Sequence, residues 1–171
     1  QGLAKLIKSV EKNNCVLALC YQMRFHPQAE KIKELIQQNA LGKISSVQVN
    51  INSFMPDWHP YESYKDYYVG NKNLGGGVVL TENHEIDLLN WFFGTPEELW
   101  AVGGTYSSLN IDVEDTANAL FRYESKQGSF PVNLHMSFAQ KPVSRNILIH
   151  GENGVLHWDI QEGLKYQNFK T

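Results

Sequence analysis

Apolar residues recur along this chain at two periods, and the switches between them mark its elements. Leu3, Leu6, Ile7 and Val10 follow the helical period, and the helix they predict ends at Asn13-Asn14. Residues 15–21 form an unbroken apolar run of strand length, the pattern of a strand buried on both faces in a parallel sheet. Helix, short turn and buried strand make the last piece of a βαβ unit. No strand precedes the helix, so the chain reads as if it starts in the middle of a domain. Pro27 opens a second helix with Ala29, Ile32, Leu35 and Ile36 on its apolar side, closing near Asn39. Val47, Val49 and Ile51 alternate with Ser46, Gln48 and Asn50, the period of a half-buried strand over 46–52. Further strands are predicted over 99–106, 116–123, 130–138, 145–150 and 155–160. Two of their joints, Ser125-Lys126-Gln127-Gly128 and Gly151-Glu152-Asn153-Gly154, are turn-like, which makes the strands they link antiparallel neighbours.

Two segments break the pattern. Residues 54–68 hold Trp58, Tyr61, Tyr64, Tyr67 and Tyr68 with Asp57, His59 and two prolines but few aliphatics. A loop this long and aromatic is a candidate binding-site lining. The second runs from Gly75-Gly76-Gly77 through Val78-Val79-Leu80 into Thr81-Glu82-Asn83-His84-Glu85-Ile86-Asp87 and ends at Trp91-Phe92-Phe93-Gly94. Thr81 is the expected N-cap and Gly94 the expected stop. His84, Asp87 and Trp91 share one helix face, while Ile86, Leu89 and Phe93 are expected to pack inward. Such a helix can present an acid/base group to a cleft.

The 171 residues suit one domain with a real core. Apolar residues make up 42% and charged residues 19%, the proportions of an ordinary globular protein. With a net charge of −3 and no basic run interleaved with aromatics, a nucleic-acid partner is not expected. No apolar stretch approaches the ~20 residues that cross a bilayer, so neither is a membrane. Residues 1–14 are amphipathic and do not read as a signal peptide. Cys15 and Cys20, five apart in a predicted strand, point to opposite faces and should not pair. Two reduced, buried thiols fit a cytoplasmic compartment.

The segment Tyr21-Gln22-Met23-Arg24-Phe25-His26-Pro27 resembles the end of the nucleotide domain in the Gfo/Idh/MocA oxidoreductases, the relatives of glucose–fructose oxidoreductase and inositol dehydrogenase. Four more segments match in order: Leu41-Gly42-Lys43-Ile44, the stretch from Gly75 to Gly94, Val113-Glu114-Asp115-Thr116-Ala117 and Ile149-His150-Gly151-Glu152-Asn153-Gly154. The resemblance implies an α/β protein of α+β type. Its open, largely antiparallel sheet carries helices on one face and follows the last helix and strand of a Rossmann domain. Residues 1–23 would be the remnant of the dinucleotide-binding domain. Residues 24–171 would be the substrate-binding and oligomerisation domain, stopping before the family's further sheet. The family's Gly-rich phosphate loop and its Glu-Lys-Pro segment, which supplies a catalytic lysine, have no match here.

The implied activity is NAD- or NADP-dependent oxidation or reduction of a sugar, cyclitol or related polyol by the full-length enzyme. No cofactor is expected on this chain alone. A non-catalytic sugar-sensing or regulatory member is the alternative. His84 matches the family's catalytic histidine, and a histidine suits the role because its pKa lies near working pH. The aspartate that relatives carry three or four residues earlier is replaced by Thr81 and Leu80, so Glu82 or Thr81 is expected to fill the polar role. Asp87 matches a position that binds substrate hydroxyls, or is a helix-surface carboxylate. Gln22 and Arg24 fall where nicotinamide and substrate meet, although Arg24 can instead pair with a helix carboxylate. Trp58 and His59 are candidate sugar contacts, or lie over the core. His26, His135, His150 and His157 read as structural, and no metal-binding spacing is present. A sheet face rich in Leu, Val, Phe and Trp after Leu99 would be covered by another copy, making the protein a homo-oligomer.

Overall fold

The computed structural model describes residues 2–169. Helix α1, Gly2–Asn13, forms where the helical period predicts it and ends at Asn14, which takes a positive φ of 51°. The strand expected over 15–21 does not form. That run has no regular structure and is exposed over residues 15–20, with Val16 at 94% and Leu19 at 82% exposure. A strand exists through its ladder partners, and no described strand lies beside this run. Cys15 and Cys20 are free, as expected, but exposed rather than buried. Helix α1 likewise buries none of its residues.

A short 3-10 turn, Gln22–Phe25, leads into α2, Pro27–Gln37, where His26 accepts a hydrogen bond from the Gln28 amide. Ala29, Ile32 and Leu35 are buried. Strand β1, Ile44–Phe54, buries Val47, Val49 and Ile51 as the alternation predicts. The aromatic loop follows. Then come α3, Val78–Thr81, and α4, Asn83–Phe93, broken from each other at Glu82. The remaining strands are β2 (Glu98–Gly104), β3 (Thr116–Ser125), β4 (Gly128–Ser137), β5 (Ala139–Gly151), β6 (Gly154–Asp159) and β7 (Gly163–Asn168). The last of these was not foreseen, because its side chains are largely exposed and show no period.

The sheet order is β2-β3-β4-β1-β5-β6-β7, and β1 with β4 is its parallel pair. Every other neighbour is antiparallel. Helices α2 and α4 lie on one face, over a core that includes Val47, Val132, Leu134, Ile149, Ile32 and Leu89. Lys33 of α2 donates to the carbonyls of Trp91 and Phe92, closing the C-terminal end of α4. The inward face of α4 is Glu85, Leu88, Leu89 and Phe92. Ile86 and Phe93 are half-buried and pack against the same core, so the expected inward set of Ile86, Leu89 and Phe93 holds as its flank. No described helix is long and apolar enough to cross a membrane.

The other face is open, and its centre is polar. One lateral row runs Val102, Asn118, His135, Asn50, Asn146. His135 and Asn118 share a 2.7 Å hydrogen bond, and Asn50 donates to Asn146 at 3.1 Å. Trp100, Val102 and Leu120 supply exposed apolar surface at the β2–β3 edge. The expected aromatic face is corrected here: Phe121, Phe130 and Phe138 are buried in the core.

Candidate active site

At Gly76 and Gly77 of the glycine triplet the backbone has no room for side chains. A Cβ on Gly76 would sit 2.3 Å from the Val69 carbonyl oxygen, and one on Gly77 would sit 2.4 Å from Oε1 of Glu114. Gly77 also has a φ of 110°. Glu114 uses that space to cap α3. Its carbonyl accepts from Val78 N–H, and its carboxylate accepts from Val79 N–H at 3.2 Å. Asp115, fully buried, receives Tyr106 N–H, Ser107 N–H and the Ser107 hydroxyl, fixing the loop before β3. These two carboxylates account for the Val113–Ala117 motif. Thr81 is therefore not the N-cap: it ends α3, and its buried hydroxyl has no partner.

Helix α3 stops at Glu82 (φ −91°, ψ 28°) and α4 starts one residue later. Glu82 is the junction residue, and His84 lies in the first turn of α4. Burial, with Glu85 nearby, pushes the Glu82 carboxyl up to about 7, against the opposing pull of Arg145. Burial and Arg145 hold His84 below its ordinary value, and Asp87 works the other way. The buried Nδ1 of His84 has no partner, and its ring meets Tyr21 edge-on at 6.1 Å. Beneath the turn, Arg145 of β5 donates to Glu85 Oε1 at 2.6 Å. Glu85 is 1% exposed; burial raises its carboxyl, and Arg145 opposes part of that rise.

The other candidates fall around this turn unequally. Asp87 is buried, and both of its oxygens are taken by Arg24. Gln22 is exposed on the same 3-10 turn. Trp58 packs edge-on against Phe138 at 5.2 Å. His59 bonds Tyr61 at 2.5 Å and lies 4.5 Å from the Tyr67 ring. Neither Trp58 nor His59 shares a hydrogen bond, ion pair or ring contact with His84 among the described residues. Leu80 is 59% exposed. Sequence reasoning missed Glu85, Arg145 and Tyr21. Glu85 stood beside His84 in the motif, but its inward direction depends on the break at Glu82.

Residues 29–157 match the GFO/IDH/MocA C-terminal domain, and the chain belongs to that family of oxidoreductase domains. A Bacillus subtilis (strain 168) protein named as an oxidoreductase, YteT, is 28% identical over 104 residues, covering 60% of this chain and 24% of its own length. The WlbA dehydrogenase from Bordetella pertussis, solved in complex with NADH and UDP-GlcNAcA, superposes with a TM-score of 0.80 at 22% identity. The match covers 98% of this chain and 51% of that one. An inositol dehydrogenase homolog from Azotobacter vinelandii, solved with NADH and myo-inositol, gives 0.74 at 17% identity, covering 98% and 44%. The chain thus spans about a quarter of the curated relative and about half of these solved chains.

Proposed function

We propose that this chain forms the substrate-facing part of a two-domain NAD(P)-dependent oxidoreductase acting on a sugar, cyclitol or related polyol. Residues 1–23 would belong with the dinucleotide-binding domain, and residues 24–171 would hold substrate and join subunits. The observation that supports the reading is the placement of Glu82 and His84 at the α3–α4 break, one at the junction and the other in the first turn of α4. His84 has a buried Nδ1 without a hydrogen-bond partner, and Glu82 is a carboxyl pushed by burial up to about 7. Neutral His84 can accept the proton of a substrate hydroxyl, and Glu82 can exchange it onward or hold it in the reverse direction. NAD(P), when bound, supplies the hydride acceptor or donor. Gln22 and Arg24 fit a dinucleotide beside this turn: Gln22 is exposed, and the Arg24 side chain keeps 40% of its surface in solvent while bonded to Asp87. Asp87 then acts on substrate through Arg24 or by direct contact when Arg24 shifts. Trp58 and His59 would contact sugar from the aromatic loop. A second copy would cover the open sheet face, with Trp100, Val102 and Leu120 as its apolar edge.

A second reading, a non-catalytic sugar-sensing or regulatory member, is favoured by Leu80 and Thr81 standing where the family resemblance implies an aspartate. NAD- and NADP-linked turnover by the full-length protein over a panel of sugars, uronates and cyclitols separates the two. Substrate-dependent formation of reduced cofactor that disappears in His84→Ala supports the enzyme. Saturable sugar binding without turnover supports the sensor.

A further inference from the structure

Arg145 pairs in register with Ile51, so its side chain leaves the sheet on the helix-covered face and reaches the first turn of α4. There it meets Glu85 through a single hydrogen bond, Nε to Oε1 at 2.6 Å. Oε2 of Glu85 and Nη2 of Arg145 are both out of solvent and without a partner. A buried pair that leaves an atom unpaired on each side is poorly made for stability, since apolar residues of similar volume usually serve at least as well. What the pair does is hold a positive charge under the turn that carries Glu82 and His84.

The geometry points to Glu85 as a positioning residue that anchors the Arg145 guanidinium beneath the Glu82–His84 turn and through it sets the protonation of that turn. This rests on the proposed function only in treating His84 as the acid/base group. The charged and titratable groups facing His84 are Arg145 from β5, Asp87 on α4 with Arg24 behind it, and the Tyr21 ring; Glu82 lies two positions away at the break. Among these, Arg145 is placed by a fully buried carboxylate. Removing Glu85 therefore distinguishes two cases. If Arg145 stays in place, its unbalanced charge pushes the titration of His84 to lower pH. If Arg145 needs Glu85 as an anchor, it turns to solvent and His84 titrates at higher pH.

The test is an NMR titration of the His84 ring in this chain, with Glu85→Gln, Arg145→Met, Arg145→Lys and the double variant Glu85→Met/Arg145→Met. The expected midpoint rises by about 0.5 pH unit in Glu85→Gln, in Arg145→Met and in the double variant. Arg145→Lys, which keeps a charge that Glu85 can hold, stays near the wild-type midpoint. An unchanged or lowered midpoint in Glu85→Gln overturns the anchoring role, and an unchanged midpoint in Arg145→Met overturns the action on His84. Should Glu85→Gln fail to fold, the double variant leaves no lone buried charge and carries the test, an unchanged midpoint overturning the inference. Failure of the catalytic assignment would appear elsewhere, as full turnover in a His84→Ala enzyme.

Discussion

The Arg24 guanidinium grips the Asp87 carboxylate with two bonds, Nε to Oδ2 at 2.8 Å and Nη2 to Oδ1 at 2.5 Å. This fork fastens the turn before α2 to the middle of α4, two elements 63 positions apart in the chain. Planar, charge-assisted pairing of this kind is stronger than a single ionic contact. Arg24→Ala would strand a buried carboxylate and should cost about 1–2 kcal/mol, less than a fully buried pair because Arg24 is partly solvated. Urea denaturation of the two proteins measures this. Asp87→Asn should cost less and, in the full-length enzyme, raise KM more than it lowers kcat.

His84 bears no hydrogen bond through Nδ1 that folding would lose. On the proposed function, His84→Ala in the full-length protein should lower kcat by about 10²–10⁴ while leaving the melting temperature nearly unchanged. A variant that melts early and keeps its rate would show a structural residue instead.

Glu82 makes stability depend on pH with a definite sign. Its folded value of about 7 lies above the ordinary 4.5, so the folded chain binds the proton more tightly than the unfolded one. The contribution is complete below pH 4.5 and is lost as pH rises through 7, to a total of at most about 3 kcal/mol. Glu82→Gln should flatten that part of the stability profile. Denaturant midpoints taken at half-unit steps from pH 4.5 to 8 give the comparison.

The glycine triplet should respond unequally to alanine. Gly75 has a φ of 80° with open space around its missing side chain, so only the left-handed conformation opposes substitution, about 1 kcal/mol. Gly77→Ala adds a clash with Glu114 and loosens the cap on α3, for about 2–3 kcal/mol. Gly76→Ala meets the Val69 carbonyl, which is backbone and cannot move aside. Thermal melts should rank the three with Gly75→Ala the mildest.

Much of this fold is legible because one face of α2, β1 and the strands β3 to β6 is buried within the chain. Val47, Val49 and Ile51 alternate because one sheet face is covered, and Ala29, Ile32 and Leu35 recur because α2 lies on that face. Residues 15–21 misled because an apolar run shows affinity for burial, whereas a strand needs a neighbour with free backbone groups. The open face differs from the expectation because strand periodicity gives alternation but not which alternate set meets the helices, and the phenylalanines Phe121, Phe130 and Phe138 fall on the covered side. His84 and Glu82 stood out as ionisable groups at a helix start. Arg145 did not, since its partner lies 60 positions away and its strand neighbours are equally polar. The break at Glu82 was hidden as well: nothing in Thr81-Glu82-Asn83 announces that one helix will end and another begin.

The place of β1 in the sheet also dictates how the chain can assemble. Val47 of β1 must find Val132 on one side and Ile149 on the other, both of which lie far along the chain. The hairpins β2–β3, β3–β4, β5–β6 and β6–β7 can close locally, but they yield two separate ribbons whose seam is β1. Closing large loops before gaining those contacts slows folding. During synthesis β1 leaves the ribosome long before either neighbour exists, with the apolar stripe of Val47, Val49 and Ile51 unshielded. Helix α2, made just before it and carrying Ile32 and Leu35, is the surface available to hold that strand until the ribbons arrive.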